Sequence, residues 1–207
     1  MRKVIYLAIA ALLCSSCFQI TLNGGKHVIR GKGPVITKSF DFKDFDAICV
    51  KGIADIQFTQ ADTWEVTLKT QENIFEHLDY KVEDGVLFIQ EKDRLRINVK
   101  VYDLTIQAPD LKRIEVNGVG DFDIPKGLHT DGNLEIEING VGDFDCNDLV
   151  CNDLDVQING VGDACVSGKA ETASLKVFGV GDIDARGLIV AGNVNTRKSG
   201  VGAIRLP

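Results

Sequence analysis

One short phrase recurs five times in the second half of the chain and constrains its fold more than any other feature. In chain order the copies read NGVGDFD, NGVGDFD, NGVGDAC, FGVGDID and SGVGAIR. Their first glycines are spaced by 22, 20, 19 and 21 residues: Gly118, Gly140, Gly160, Gly179 and Gly200. A period of about 20 residues is typical of coils that stack on copies of themselves, because one coil cannot bury its apolar face alone. The sequence therefore predicts an all-β chain with a β-solenoid, similar to a β-helix, at residues 108–207.

Apolar and polar residues alternate on both sides of each Gly-Val-Gly corner. The strand before the first corner reads IEV at residues 114–116, and the strand after it reads FDI at residues 122–124. Side chains alternate across a strand, so the apolar residues are predicted to face inward and the polar ones outward. In the last copy, Thr196 and Lys198 replace apolar residues. This is typical of a polar capping coil that prevents edge-to-edge growth.

Residues 34–107 are predicted to form strands and hairpins ahead of the repeats. Asp84-Gly85 supplies the positive φ angles of a two-residue turn and predicts a hairpin of residues 80–83 with residues 86–90. Residues 71–78 carry apolar side chains on one helical face and predict a single short helix. Residues 98–107 predict one long strand.

The N-terminus carries an export signal. Two basic residues precede an apolar run at residues 4–13, which is too short to span a bilayer, and CSSC follows, ending at Cys17. Residues 1–16 resemble the signal peptide of a bacterial lipoprotein, in which Cys17 is lipidated; an ordinary cleaved signal is the alternative. Residues 17–33 are predicted to be a flexible tether. We therefore expect an exported protein, membrane-anchored in the bacterial envelope at the periplasmic or surface face of the outer membrane.

The charge of the chain excludes one class of partner. The formal net charge is −7, and an acidic chain repels nucleic acid and anionic lipid head groups. Membrane attachment is therefore expected to come from the lipid on Cys17.

Four cysteines follow Cys17: Cys49, Cys146, Cys151 and Cys165. An oxidising envelope permits disulfides, and a Cys146–Cys151 bridge could close a corner of one coil. The alternative, which we favour, is that Cys146 is a small buried apolar residue. There is no C-x-x-C pair with a nearby histidine to indicate zinc.

The Gly-Val-Gly corners are predicted to need glycine for geometry, because glycine adopts backbone angles that are closed to other residues. Phosphate binding is excluded, since a strand and an aspartate follow each corner instead of a helix or a lysine. The corner glycines are Gly118, Gly120, Gly140, Gly142, Gly160, Gly162, Gly179, Gly181, Gly200 and Gly202.

Aspartates and asparagines are predicted to form ladders beside the corners. Stacked strands lie about 4.8 Å apart, and two carboxylates at that distance repel by about 1 kcal/mol in water. Either each aspartate accepts hydrogen bonds from corner amides, which we favour, or a cation such as calcium lies between the coils. Stacked asparagine amides can hydrogen-bond along the solenoid. The ladders comprise Asp121, Asp143, Asp163 and Asp182, and Asn117, Asn139 and Asn159.

The sequence holds no recognisable catalytic motif. His27, His77 and His129 are scattered, and neither G-x-S-x-G nor H-E-x-x-H occurs. Some β-helical proteins are polysaccharide lyases or hydrolases, so an enzyme stays an alternative. The only regularly spaced carboxylates that could be catalytic in such an enzyme are Asp123, Asp145 and Asp184. The charged run at residues 91–96 is interpreted as a solvated hairpin loop.

The chain resembles the head GIN domain family of auto-transporter adhesins from about residue 40 to residue 206. The resemblance depends on FDAI at residues 45–48 with KG at residues 51–52 and DI at residues 55–56, on VEDGVL at residues 82–87, on APDL at residues 108–111 and on the repeated NGVGD. It implies a right-handed β-solenoid at the cell envelope with an adhesive role, and it supplies no catalytic residues and no cofactor.

The leading hypothesis is a non-enzymatic envelope lipoprotein that binds a glycan, or an envelope or host surface protein, through flat ladder faces. The alternatives are a polysaccharide-active β-helix enzyme and a structural spacer with no ligand. End-to-end stacking of coils from two molecules would make an oligomer and is left open.

Overall fold

The computed structural model describes residues 27–92 and 95–207. The predicted signal peptide, Cys17 and residues 17–26 of the predicted tether lie outside the described residues. The described chain is all-β, as predicted, with a single 3₁₀ helix among its strands. The part of the chain that the structure describes has no helix long and apolar enough to cross a bilayer.

Ten elements make up the first half of the described chain. They are β1 (His27–Arg30), β2 (Val35–Phe40), β3 (Ala47–Ile53), β4 (Asp55–Gln60), β5 (Glu65–Gln71), the 3₁₀ helix (Glu72–His77), β6 (Leu78–Glu83), β7 (Val86–Glu91), β8 (Leu95–Asn98) and β9 (Tyr102–Ala108).

The repeated half consists of strands alone. They are β10 (Arg113–Val119), β11 (Phe122–Ile124), β12 (Leu128–His129), β13 (Leu134–Ile138), β14 (Phe144–Ile158), β15 (Ala164–Val177), β16 (Ile183–Val190), β17 (Val194–Lys198) and β18 (Ile204–Arg205).

Sixteen strands form one large sheet, which is curled and open. From β2 the sheet runs along one wall through β5, β9, β4 and β11 to β14, and returns along a second wall through β13, β10, β3 and β7 to β6. Strand β14 belongs to both walls, since its start pairs with β11 and its end with β13. The apolar core lies between the walls, where the rings of Phe122 and Phe144 are 6.1 Å apart.

Successive repeats pair in parallel and in register, as their spacing requires. Phe122 pairs with Phe144, which pairs with Ala164 on its other side. These three residues are buried, whereas Asp123 and Asp145, one position further on, are exposed. The predicted alternation of inward and outward side chains is therefore confirmed.

The parallel ladder begins one repeat before the predicted boundary at residue 108, and one repeat of this ladder is called a coil below. Strand β3 pairs with β10 so that Gly52 is in register with Gly118, and β4 pairs with β11. The segment KGIAD at residues 51–55 is thus a diverged copy of NGVGD. The repeat pattern did not predict this copy, because alanine replaces one of its two glycines.

The predicted hairpin and the predicted short helix are both present, whereas the predictions for residues 98–107 and for the tether are each wrong in part. The hairpin turn has Asp84 and Gly85 at φ 51° and 77°, and the short helix is of the 3₁₀ type. The predicted strand at residues 98–107 is interrupted, because β8 ends at Asn98 and β9 begins at Tyr102. The tether prediction is wrong for β1, which pairs in parallel with β8.

The last coil ends the stack with polar side chains. Every residue of β17 is exposed, including Thr196 and Lys198 at the inward positions. The Lys198 ammonium donates a hydrogen bond to the carbonyl oxygen of Gly202 (2.8 Å). This arrangement has the polar end that the sequence predicts for a capping coil.

Candidate binding surface

The corners align into an exposed apolar row along one side of the molecule. We name the five corner valines the valine ridge: Val119, Val141, Val161, Val180 and Val201. Each pairs in parallel with the next, and Ile53 of the diverged copy pairs with Val119. The first four are 49–51% exposed and the last is 70% exposed. At about 4.8 Å per coil the ridge is about 19 Å long.

Glycine is required at the corners for two separate reasons. The second glycine of each corner has a positive φ, for example 157° at Gly162. The first glycine does not, but a Cβ at Gly160 would lie 1.9 Å from the carbonyl oxygen of Gly140 in the coil before it. The sequence predicted the special backbone angles of the corners. It did not predict the close approach of the first glycine to the preceding carbonyl oxygen, because that contact depends on stacking.

The aspartate ladder binds the backbone of the next coil. The Asp143 N–H donates to Oδ1 of Asp121 (2.9 Å), and the Asp163 N–H donates to Oδ1 of Asp143 (2.8 Å). The row continues through Asp182, whose Oδ1 accepts the Ala203 N–H (2.6 Å). Hydrogen bonds from Arg205 and then from Ala203 lower the pKa of Asp182. The carboxylates are thus corner caps, whereas the calcium alternative stays a prediction.

The asparagine ladder lies on the other side of the ridge. Asn139 donates through Nδ2 to Oδ1 of Asn117 (2.9 Å), and Asn159 donates in the same way to Asn139 (2.6 Å). The row ends where Phe178 replaces asparagine, with the Arg197 guanidinium 5.4 Å from the centre of its ring. The ridge is therefore flanked by amides on one side and carboxylates on the other.

The carboxylates considered for an enzyme do not share one environment. Asp123 and Asp145 are paired on adjacent coils, and burial followed by nearby carboxylates raises the pKa of each above its ordinary value. Asp184 is bound by the Arg186 guanidinium, which holds its pKa at about 2. Among residues 27–92 and 95–207, no group of three or more His, Cys, Asp or Glu side chains could hold a metal ion.

The histidines do not join these carboxylates. His129 lies 3.2 Å from the exposed Asp148, through Nε2 and Oδ2, and His77 lies beside Glu76.

The four cysteines of the described chain are free thiols. Cys146 and Cys151 are buried, and burial raises their pKa values to about 12 and about 11. The favoured interpretation of Cys146 as a small apolar core residue is confirmed, and the Cys146–Cys151 bridge is not formed.

One open cleft of about 570 Å³ adjoins the ridge at its first coil. The sequence did not predict this cleft, because it forms between the diverged corner and residues 90–92, 95 and 96. Its lining includes Lys51, Gly52, Ile53, Lys92, Arg96 and Val119.

Comparison with known proteins places residues 44–207 in one family. They match the profile described as "Putative auto-transporter adhesin, head GIN domain". No protein with a curated description matches the chain.

Solved structures of similar proteins include three from Bacteroides and Parabacteroides species. A putative adhesin from Bacteroides fragilis is 29% identical with a TM-score of 0.77, and the match covers 86% of this chain and all of that one. A putative adhesin from Parabacteroides merdae is 23% identical with a TM-score of 0.66, covering 87% of this chain and 84% of that one. A putative lipid binding protein from Parabacteroides distasonis is 21% identical with a TM-score of 0.63, covering 87% and 99%. The last two matches support the fold alone.

Proposed function

This chain belongs to the family described as "Putative auto-transporter adhesin, head GIN domain", and we propose that it is a non-enzymatic adhesion module of the bacterial cell envelope. Its binding surface is the valine ridge with the two polar ladders beside it. Its ligand is a glycan, or a protein of the envelope or of a host surface. The stacked coils form a right-handed solenoid that presents this surface as a rigid, regular array.

The observation that carries the proposal is the repeated exposure of valine at the corners. Each ridge valine lies between two glycines and is half exposed or more, so core packing does not require an apolar side chain there. A β-branched side chain suits an extended backbone, but threonine would serve as well and would be better solvated. Rows of exposed apolar residues rimmed by polar ones mark interaction sites in soluble proteins.

The test replaces three ridge valines by threonine: Val141→Thr, Val161→Thr and Val180→Thr. Threonine keeps the branched shape and adds a hydroxyl, so we expect an unchanged fold and at least about a tenfold loss of affinity. Binding is measured on glycan arrays and by pull-down from isolated envelopes and host-cell surfaces.

The matched control changes apolar residues that are exposed elsewhere, Val150→Thr with Ile189→Thr. It is expected to bind as the unchanged protein does. Equal binding by the ridge variant, or no ligand in either screen, would contradict the proposal and favour a structural spacer.

Anchoring through a lipid on Cys17 is the second part of the proposal. It is supported by the resemblance of residues 1–17 to a lipoprotein signal. Cells fed a labelled fatty acid are expected to incorporate it into the full chain, and the Cys17→Ser variant is expected to lose the label. A labelled variant, or an unlabelled parent, would contradict lipidation.

Turnover of uronic-acid polymers would contradict the non-enzymatic assignment. The enzyme alternative would be favoured if Asp145→Asn abolished that turnover without lowering the thermal midpoint.

A further inference from the structure

The N-terminal end of the described structure is positively charged, whereas the whole chain is negatively charged. Residues 27–40 include Arg30, Lys32 and Lys38 and no acidic residue, whereas the complete chain has a net charge of −7. The charge is therefore unevenly distributed, and the inference from net charge that this protein repels anionic head groups does not hold at this end.

Contacts with the 3₁₀ helix gather these cations on one surface. Asn73 of the helix donates to the carbonyl oxygen of Arg30 (3.0 Å) and accepts the Lys32 N–H (2.6 Å). The Lys38 ammonium lies 4.3 Å from the centre of the Phe75 ring. Two shallow depressions share Lys32 and Asn73 and extend from β1 across the helix to Lys38. We name this surface, with Arg96 and Lys92 beside it, the entry face.

Positive charge prevails on the entry face. Arg96 is paired with Val28 of β1, and the Lys92 ammonium is bonded to the carbonyl oxygen of Glu76. Five cations face three anions, a net charge of +2 with histidines neutral. The cations are Arg30, Lys32, Lys38, Lys92 and Arg96, and the anions are Glu72, Glu76 and Glu91, the last of which lines one cleft with Lys92 and Arg96.

Apolar side chains are exposed among these cations. Val28 is 47% exposed and Val35 is 43% exposed. Phe75 is partly buried beside Phe40, with ring centres 6.5 Å apart. Basic residues interspersed with exposed apolar and aromatic side chains are typical of surfaces that lie in the head-group region of an anionic bilayer.

We propose that the entry face docks on the anionic lipid surface of the membrane that holds the N-terminus. His27 lies ten residues after Cys17, so an extended chain reaches at most about 35 Å from the lipidated residue to β1. The entry face is therefore the part of the domain held nearest to the anchor proposed above. The valine ridge then projects away along the stack.

The experiment uses the chain from residue 18 onward, which carries no lipid. This chain contains every residue that the structure describes, 27–92 and 95–207. It is sedimented with vesicles of phosphatidylcholine mixed with phosphatidylglycerol, and with vesicles of phosphatidylcholine alone. We expect binding to the mixed vesicles only, weakening as salt is raised.

The variant Lys32→Glu with Lys38→Glu reverses two charges of the entry face. Each basic residue near an anionic surface contributes about 1 kcal/mol, so the vesicle partition coefficient should fall by about thirtyfold or more. Arg30→Gln with Lys32→Gln is a second variant that removes two charges without reversing them, and its partition coefficient is expected to fall less. Circular dichroism checks the fold of each.

The matched control is Lys126→Glu with Lys169→Glu, which makes the same charge change at exposed lysines of the repeated half. It is expected to bind mixed vesicles as the parent does. An equal loss in the control, or no binding by the parent, overturns the proposal. The adhesion assay is scored separately: entry-face variants are expected to keep ligand binding, so the failure of one proposal does not imply failure of the other.

Discussion

Single residues at the corners are fixed by the coil on which they stack. The first glycine of each corner illustrates this, since its φ is ordinary and the carbonyl oxygen of the preceding coil leaves no room for a Cβ. The side chain of Asp143 has the complementary role, because its Oδ1 accepts the N–H of the following coil.

Gly160→Ala tests the close approach. Its Cβ would lie 1.9 Å from the Gly140 carbonyl oxygen, and relieving such an overlap requires backbone shifts, so we expect a loss of about 3 kcal/mol in urea unfolding. Gly132→Ala is the control, because its Cβ would meet nothing closer than Oγ1 of Thr130 at 3.4 Å. Equal stability of the two variants would show that the coils separate more easily than described.

Asp143→Asn and Asp143→Ala test whether Asp143 acts as a corner cap or as a calcium ligand. Asparagine keeps the oxygen that accepts the Asp163 N–H, so Asp143→Asn should lower the stability of the fold only slightly. Asp143→Ala removes that acceptor and should lower the stability by about 1 kcal/mol. Thermal unfolding of both variants and the parent is compared with calcium and with chelator. A rise in the parent midpoint with calcium, lost in Asp143→Asn with Asp163→Asn, would establish a cation between the coils.

Asp145→Asn tests the electrostatics of the outer face. The pKa of Asp145 is raised above 3.8 in the folded state, so wild-type stability decreases as pH rises from 3.8 through the raised value. Removing the charge removes the cost of its partial burial and its repulsion by Asp143 and Asp121. The free energy of unfolding in urea should therefore rise by about 0.5 kcal/mol at pH 7 and stay unchanged near pH 2. A lower midpoint at pH 7 would mean that this carboxylate has an attractive partner.

At the scale of elements, strand β17 ends the stack because its inward positions are polar. Its inward positions hold Thr196 and Lys198, and the Lys198 ammonium is bonded to Gly202 within the same coil. A second molecule stacked end to end would have to bury that ammonium, which is costly without a paired charge.

Thr196→Val with Lys198→Leu should therefore create an apolar end and cause association. We expect larger species in analytical ultracentrifugation that increase with concentration and that the parent lacks. Asn195→Val with Arg197→Leu changes outward residues of the same strand and should not associate through the stack. Association of the parent itself would mean that the last coil is no cap.

At the scale of the whole molecule, the two halves share one sheet. Because β3 pairs with both β10 and β7, the ladder passes from the repeats into the first half without a break. Contacts in such a stack are made mainly between neighbouring coils, so disturbance of one coil is passed along the row.

The single tryptophan makes this coupling measurable. Trp64, which donates to the carbonyl oxygen of Phe45 (2.9 Å), reports on the first half, and far-ultraviolet circular dichroism reports on all the strands. We expect coincident urea midpoints, and we expect Gly160→Ala in the repeats to lower both equally. A Trp64 midpoint that stays unchanged in that variant would show that the halves unfold separately.

The sequence by itself determined the repeat, its register and the direction of its side chains. A fixed spacing of glycines, with apolar residues alternating around them, leaves parallel stacking as the way to bury the apolar set. Local turn chemistry likewise determined the Asp84-Gly85 hairpin, since its backbone angles depend on those two residues.

Tertiary structure alone decided the features that depend on contacts between distant residues. The diverged corner at residues 51–55 is recognised by its pairing with Gly118, and β1 is a strand because β8 supplies its hydrogen bonds. The entry face is assembled from residues 27–40, the 3₁₀ helix and β8, which only folding brings together. Net charge could not reveal it, because a sum over the chain contains no information about position.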